Sequence, residues 1–219
     1  GDNIYNGAAD NATGTAALLA MAKMHADAGP APRSVVFLAV TAEESGLLGS
    51  RWYAEHPVFP LATTVANINI DVLNTYGPMH DIVVVGNGSS ELEAYLEEAA
   101  TTQGRHLIEE PNPERGYYYR SDHFNFAKAG VPALYAESGE DSVEFGSQWG
   151  AEQAQDYNEN RYHAPSDEYD PSWNLEGAAQ DILLYFDVAS KLSRESSFPN
   201  WLEGNEFKGI RDATSASRP

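Results

Sequence analysis

Five residues of this 219-residue sequence have types and places that suit chemistry: Asp10, Glu43, Glu44, Asp71 and His163. Glu43 and Glu44 directly follow the apolar run Ser34–Thr41. Asp71 lies at the end of a second run, Thr64–Val72, and Asp10 precedes an Ala/Leu/Met-rich stretch. A carboxylate buried at a strand end is costly unless it is paired or metal-bound, and several of them converging repel one another. A divalent cation resolves that conflict, and His163 can add a neutral imidazole. The chain has no cysteine, so the donors are oxygen and nitrogen; this set suits zinc, and less specifically manganese or cobalt. Adjacent side chains on extended backbone point opposite ways. One of Glu43 and Glu44 can therefore ligate a metal while the other faces water bound to it, pairing a Lewis acid with a general base. Taken singly, each residue reads as a solvated or capping group; their placement together carries the functional reading.

The elements that must position them alternate between helix and strand. Helices are expected at Gly14 to Ala28, stopped by Gly29-Pro30, at Gly46–His56, at Ser89–Gln103 with Ser89 as N-cap, at Ser121–Ala129 and at Leu175–Leu192. Buried strands are expected at Ser34–Thr41, Thr64–Val72, Asp81–Val85 and Val131–Ala136. Ser138–Asn160 is polar and reads as a long loop, and the Pro-, Gly- and Ser-containing segment 196–219 as a surface tail after a catalytic domain over 1–195. The fold implied is a three-layer α/β/α sandwich with a mostly parallel mixed sheet. In such sheets ligands bind beyond the carboxyl ends of the strands, where Glu43, Glu44 and Asp71 stand.

Bulk properties narrow the function. Thirteen basic residues against 33 acidic ones give a formal net charge of −20; nucleic acid, which needs a basic patch, is not an expected partner. Such a field attracts cations, including the ammonium groups of peptides. No apolar run approaches the ~20 residues that span a bilayer. The lack of cysteine fits a periplasmic or secreted bacterial protein. The sequence opens on Gly1-Asp2-Asn3 and reads as a processed or truncated piece.

Four motifs in order resemble metallopeptidase family 28, the co-catalytic two-zinc aminopeptidases. They are Asn6-Gly7-Ala8-Ala9-Asp10-Asn11-Ala12-Thr13-Gly14, then Thr41-Ala42-Glu43-Glu44-Ser45-Gly46-Leu47-Leu48-Gly49-Ser50, then Asn69-Ile70-Asp71, then Tyr162-His163-Ala164-Pro165-Ser166-Asp167. A fifth segment, Arg120-Ser121-Asp122-His123, also fits. The resemblance implies that Asp10 bridges two zinc ions, that Glu44 and His163 complete one site, and that Asp71 belongs to the other. It implies that Glu43 is the general base toward metal-bound hydroxide, that Tyr162 stabilises the oxyanion, that Arg120 lines the substrate pocket, and that the Asp10–Asn11 bond is cis. Asp122 and His123 are expected to support the site without ligating. In the family a further histidine, from an upstream His-x-Asp motif, serves the Asp71-side metal. No histidine precedes Asp10 here, so that site is incomplete, and an N-terminal fragment supplying the ligand is an expected partner.

The activity so implied is removal of the N-terminal residue from peptides with a free amine. Two alternatives stand beside it: a single-zinc transferase like glutaminyl cyclase, and an inactive fragment or binding module.

Overall fold

Four short runs of branched and apolar residues pair into one sheet. The computed structural model describes residues 3–218; Gly1, Asp2 and Pro219, which include the start of the opening tripeptide, lie outside the described residues. In chain order the helices are α1 (Ala12–Asp27), α2 (Leu48–Glu55), α3 (Leu92–Thr102), α4 (His123–Lys128), α5 (Gly146–Asn160), α6 (Glu176–Arg194) and α7 (Lys208–Ala213). The strands are β1 (Asn67–Asn69), β2 (Asp81–Val84), β3 (His106–Glu109) and β4 (Ala133–Ser138), in the order β1-β4-β2-β3. β4 is parallel to β1 and antiparallel to β2, and β2 is parallel to β3. Ile68 stands opposite Leu134 and Val83 opposite Glu137.

The period of two sorts side chains between the faces. Ile82, Val84, Leu134 and Ala136 join Met21 of α1, Leu92 and Leu96 of α3, and Leu184, Tyr185 and Val188 of α6 in the main core. Val83, Val85 and Tyr135 form a separate cluster, and Ala127 of α4 packs with Ala133, Trp201 and Phe207 in another; α2 packs on α4. The result is the expected three-layer mixed α/β architecture. Among the described residues, no helix is long and apolar enough to cross a membrane.

The structure departs from the sequence reading in five places. Ser34–Thr41, expected as a buried central strand, pairs with no strand, and Val36 is 49% exposed. Its composition suits a strand, but pairing requires a neighbour, and none lies beside it. Only Asn67–Asn69 of the expected strand Thr64–Val72 is paired. Ser138–Asn160 is not a loop: from Gly146 onward it is α5. Gln, Glu and Ala between 148 and 156 favour helix, Gln148–Glu152 and Gln155–Glu159 pair one turn apart, and Trp149 packs on Phe145 and Tyr76. Ser89 does not cap α3. The N-cap position is Glu91, with no side-chain capping bond, and the Glu93 carboxylate instead reaches back to the preceding turn, accepting from the N–H groups of Gly88, Ser89 and Ser90 at 2.8, 2.7 and 3.1 Å. β3, two half-buried residues between exposed ends, has no counterpart in the sequence reading.

The expected surface tail is a structural clasp. Trp201 is 1% exposed and donates its indole N–H to the Gly130 carbonyl at 3.2 Å. Arg211, equally buried, donates to the carbonyls of Thr64 (2.8 Å), Val65 (3.0 Å) and Pro199 (3.2 Å). Two carbonyls at the entrance to β1 and one in the C-terminal segment are thereby satisfied by one cation. Gly130 (φ +85°) admits this contact because a Cβ there would lie 3.0 Å from the Arg211 nitrogen. Trp201→Ala is expected to lower unfolding free energy by about 3–5 kcal/mol, measured by urea denaturation; a change below 1 kcal/mol would contradict the clasp.

Candidate active site

The site assembles where the loop before α1, the loop before α2, the end of the β1 segment and the segment after α5 meet. Asp10 is placed by its backbone. The Asp167 carboxylate, 3% exposed, accepts from the N–H of Ala9 and of Asp10, both at 2.9 Å. The Asp10–Asn11 bond is cis. Asn11 then starts α1: its side-chain oxygen accepts from Gly14 N–H at 2.9 Å, and its amide donates to the Ile70 carbonyl at 3.3 Å. Thr13 completes the tie, its hydroxyl donating to the Ala9 carbonyl and accepting from Leu73 N–H. A Cβ on Gly14 would lie 2.8 Å from the carbonyl oxygens of Ile70 and Asp71, so only glycine lets α1 approach the Asp71 backbone this closely.

Glu43 and Glu44 sit in a folded loop. Ala42 has φ +57° and Leu47 φ +58°. Gly46 and Leu47 N–H donate to the Glu43 carbonyl, Leu48 N–H to Ala42, and Gly49 N–H to Thr41. A Cβ on Gly49 would lie 2.4 Å from the Thr41 carbonyl oxygen, so glycine is required to close the loop. Left-handed backbone at a non-glycine residue costs of order 1–3 kcal/mol, and Ala42 adopts it immediately before Glu43. His163 does likewise, at φ +55°. It is delivered by α5, since the N–H groups of Arg161 and Tyr162 both donate to the Tyr157 carbonyl that closes the helix.

These elements bring Asp10, Glu44 and His163 together, one donor atom from each lying within 4.8 Å of the others. The His163 Nε2 is 2.9 Å from a Glu44 oxygen and 3.3 Å from an Asp10 oxygen. Among the described residues this is the one group of three such donors. Asp71 stands outside it, with one carboxylate oxygen accepting the Ser121 hydroxyl at 2.6 Å. Ser121 in turn accepts from the Asn69 amide. Asp71 is nevertheless close enough to raise the Asp10 pKa.

The carboxylates are mutually destabilised. Burial, then Asp71 and Glu44, push Asp10 up to about 6. Burial, then Asp71, Glu44, Asp122 and Asp10, push Glu43 up to about 8. Asp71 is also raised, by burial, against hydrogen bonds that pull it down. A divalent cation among them would remove the repulsion, and the all-oxygen-and-nitrogen donor set fits a hard or borderline ion such as zinc.

Tyr162 stacks on His163 at 3.7 Å between ring centres, and burial raises its pKa above the ordinary tyrosine value. Arg120 lies at the same cleft, its guanidinium 5.5 Å from the Tyr117 ring. The cleft, of about 850 Å³, is bounded by Asp10, Glu43, Glu44, Asp71, Arg120, Tyr162 and His163. Asp122 lies near enough to raise the Glu43 pKa. His123 is fully buried against Tyr118 and Tyr135, and burial pulls its pKa down to about 3. Two site residues carry roles the sequence reading did not give them. Asp167 holds the Asp10 backbone, and its signal was a second acidic residue four places after His163. Glu137, at the end of β4, lines the cleft and accepts the Tyr135 hydroxyl.

The model of peptidase family M28 matches residues 1–187. Over 162 residues the chain is 28% identical to aminopeptidase YwaD of Bacillus subtilis (strain 168), covering 74% of this chain and 32% of that protein. Among solved structures, the LapA aminopeptidase of Legionella pneumophila is similar with a TM-score of 0.64 at 20% identity, over 87% of this chain and 48% of that one. An aminopeptidase from Aneurinibacillus sp. strain AM-1 follows with a TM-score of 0.61 at 22% identity, over 88% and 41%. These likenesses show the fold. The chain spans less than half the length of each of these relatives.

Two measurements test the site. Asp167→Asn should weaken zinc binding roughly 10–100-fold by loosening the Asp10 backbone, read by competition with a chromophoric chelator; unchanged affinity would detach Asp167 from the site. Without metal, the folded chain retains protons on Asp10 and Glu43 that the unfolded chain releases near pH 4. Folding is therefore favoured at low pH, and that advantage is lost as pH rises through about 6 and about 8. In chelator, melting temperature should fall between pH 5 and pH 9. Glu43→Gln should flatten the upper part of that fall, and identical profiles for the two proteins would refute the assignment.

Proposed function

Because this chain belongs to peptidase family M28, we propose that it forms the catalytic part of a metal-dependent aminopeptidase, which hydrolyses the first peptide bond of a substrate with a free N-terminus. The observation that carries the reading is the convergence of Asp10, Glu44 and His163 beside Glu43. Asp10, Glu44 and His163 would hold one zinc ion, and Asp71 with Asp10 would contribute to a second. Bound there, zinc would supply Lewis acidity toward the scissile carbonyl and the attacking water.

The protein's own groups account for the proton movements. Once a bound cation offsets the negative neighbours that otherwise hold a proton on Glu43, its carboxylate would be free to take the proton of the attacking water. The protonated Glu43 then returns it to the departing amine nitrogen. Tyr162 stays protonated at neutral pH, so its hydroxyl can donate to the carbonyl oxygen as charge builds there. The negative surplus around Glu43 and Asp71 favours the substrate ammonium, which supports release of terminal residues over internal cleavage. Arg120, at the cleft wall, would contact the substrate.

A single-metal reading, with cyclisation of N-terminal glutamine as the reaction, has one observation in its favour: the described residues contain one three-donor group. Metal stoichiometry and product separate the two. On the main reading, zinc-loaded protein releases free amino acids from peptides. Glu43→Gln should lower kcat by roughly 10²–10⁴-fold with zinc content unchanged, measured by chromogenic amide hydrolysis and metal analysis. Wild-type turnover in Glu43→Gln would exclude the base role, and pyroglutamate with one zinc per chain would favour the alternative.

A further inference from the structure

In a chain with 13 basic residues against 33 acidic ones, a cation has carboxylates in plenty to pair with. Lys23, Arg105, Arg161, Lys191 and Lys208 each form such an ion pair. Arg33, Arg194, Arg211 and Arg218 donate to main-chain carbonyls instead. Among the described residues, the four that remain, Arg51, Arg115, Arg120 and Lys128, have neither kind of partner. All four are exposed, and all four line the cleft that holds Asp10, Glu43, Glu44 and Asp71.

Aromatic side chains hold three of these cations in place. The Arg115 guanidinium donates to the Tyr117 hydroxyl at 3.2 Å, and that of Arg120 lies 5.5 Å from the same ring. The Lys128 ammonium lies 4.8 Å from the Phe124 ring, which meets Tyr119 edge-on. Contacts of this kind position a charge without neutralising it. Glu114 acts on Arg115 but forms no ion pair with it. Arg51 comes from α2, which is tied to α4 where the Asn125 amide donates to Leu47 and Ser50. Cations from α2, α4 and the segment after β3 therefore border one cleft. Arg120 is near enough to Tyr162 to work against the rise in its pKa, so the cations reach the residue placed to donate to the carbonyl oxygen.

Unpaired guanidinium and ammonium groups are donors for an anion, and a guanidinium fork matches a carboxylate. We propose that Arg51, Arg115, Arg120 and Lys128 form a carboxylate-binding subsite for the leaving part of the substrate. The preferred substrates are then peptides with a carboxylate within about two residues of the scissile bond, since a cleft of about 850 Å³ is on the order of 10 Å across and an extended tripeptide spans as much. The inference rests on the aminopeptidase reading, which sets the substrate ammonium among the acidic groups. The carboxylate is either the C-terminus of a di- or tripeptide or the side chain of an aspartate or glutamate. In the first case the protein acts late in peptide breakdown, on fragments that an endo-acting hydrolase has already released.

The test is calorimetric binding to the zinc-loaded Glu43→Gln chain. Leu-Gly-Gly, or Leu-Glu-Gly amide, should bind roughly tenfold more tightly than Leu-Gly-Gly amide. The first result identifies the C-terminal carboxylate as the group recognised, and the second a side-chain carboxylate. The preference should fall below about twofold in about 0.5 M salt, where the screening length is about 4 Å. Adding Arg51→Gln and Lys128→Gln together should cut it to about threefold or less, while Arg51→Lys should keep it. Leucine followed by five glycines should bind equally as acid and amide. The proposal is overturned if neither carboxylate-bearing peptide outbinds Leu-Gly-Gly amide, or if the preference survives the double substitution. Release of leucine from Leu-Gly-Gly amide by the zinc-loaded wild type reports on the hydrolytic reading alone. Hydrolysis without a carboxylate preference sinks the subsite, and a preference in binding without hydrolysis sinks the reaction.

Discussion

Four carboxylates, Asp10, Glu43, Glu44 and Asp71, are held together against their own repulsion, and much of the surrounding structure serves to keep them there. The charges acting most strongly on Glu43 are all negative. For Asp10, His163 alone among the leading influences pulls the other way. Like charges so placed would drift apart on flexible loops. Here they are fixed through backbone contacts: Asp10 by Asp167, the Glu43 loop by its turn bonds, Asp71 by Ser121. Preorganised repulsion of this kind is stored affinity for a cation, because binding one relieves strain already present in the fold.

The cluster also stands as a partition. Asp10, Glu43, Glu44 and Asp71 border both the cleft that receives Tyr162 and a second cavity, of about 720 Å³, between the stretch 34–40 and β1. Glu43 therefore reports on both sides: its loop grows directly from the unpaired stretch, and its carboxylate faces the acidic group. Any change in order along 34–40 reaches Glu43 within three residues. The geometry of the site and the order of the 34–40 stretch are thus linked through Thr41 and Ala42.

Much of this was readable from residue types and order. α1, α6, β2 and β4 follow from strong apolar patterns, and the donor residues follow from their motifs. Three features were hidden for distinct physical reasons. The 34–40 stretch has a strand's composition, but pairing belongs to two segments and not to one. α5 is held by pairs of polar side chains and a few aromatic contacts, a signal that polarity alone conceals. The clasp depends on Trp201, Phe207 and Arg211, whose burial is masked by the Pro, Gly and Ser around them. Asp167 was visible as a letter in a motif; that its oxygens would accept from two backbone N–H groups 157 and 158 positions away is a property of the folded chain alone.

That last contact sets an order in time. During synthesis Asp167 and His163, the partners of Asp10, emerge from the ribosome some 150 residues after it. At 5–20 residues per second the interval is roughly 8–30 s. Throughout it the acidic loop has no imidazole beside it and no anchor for its backbone. The acidic group therefore comes together with its imidazole only after the segment that carries His163 and Asp167 has been translated.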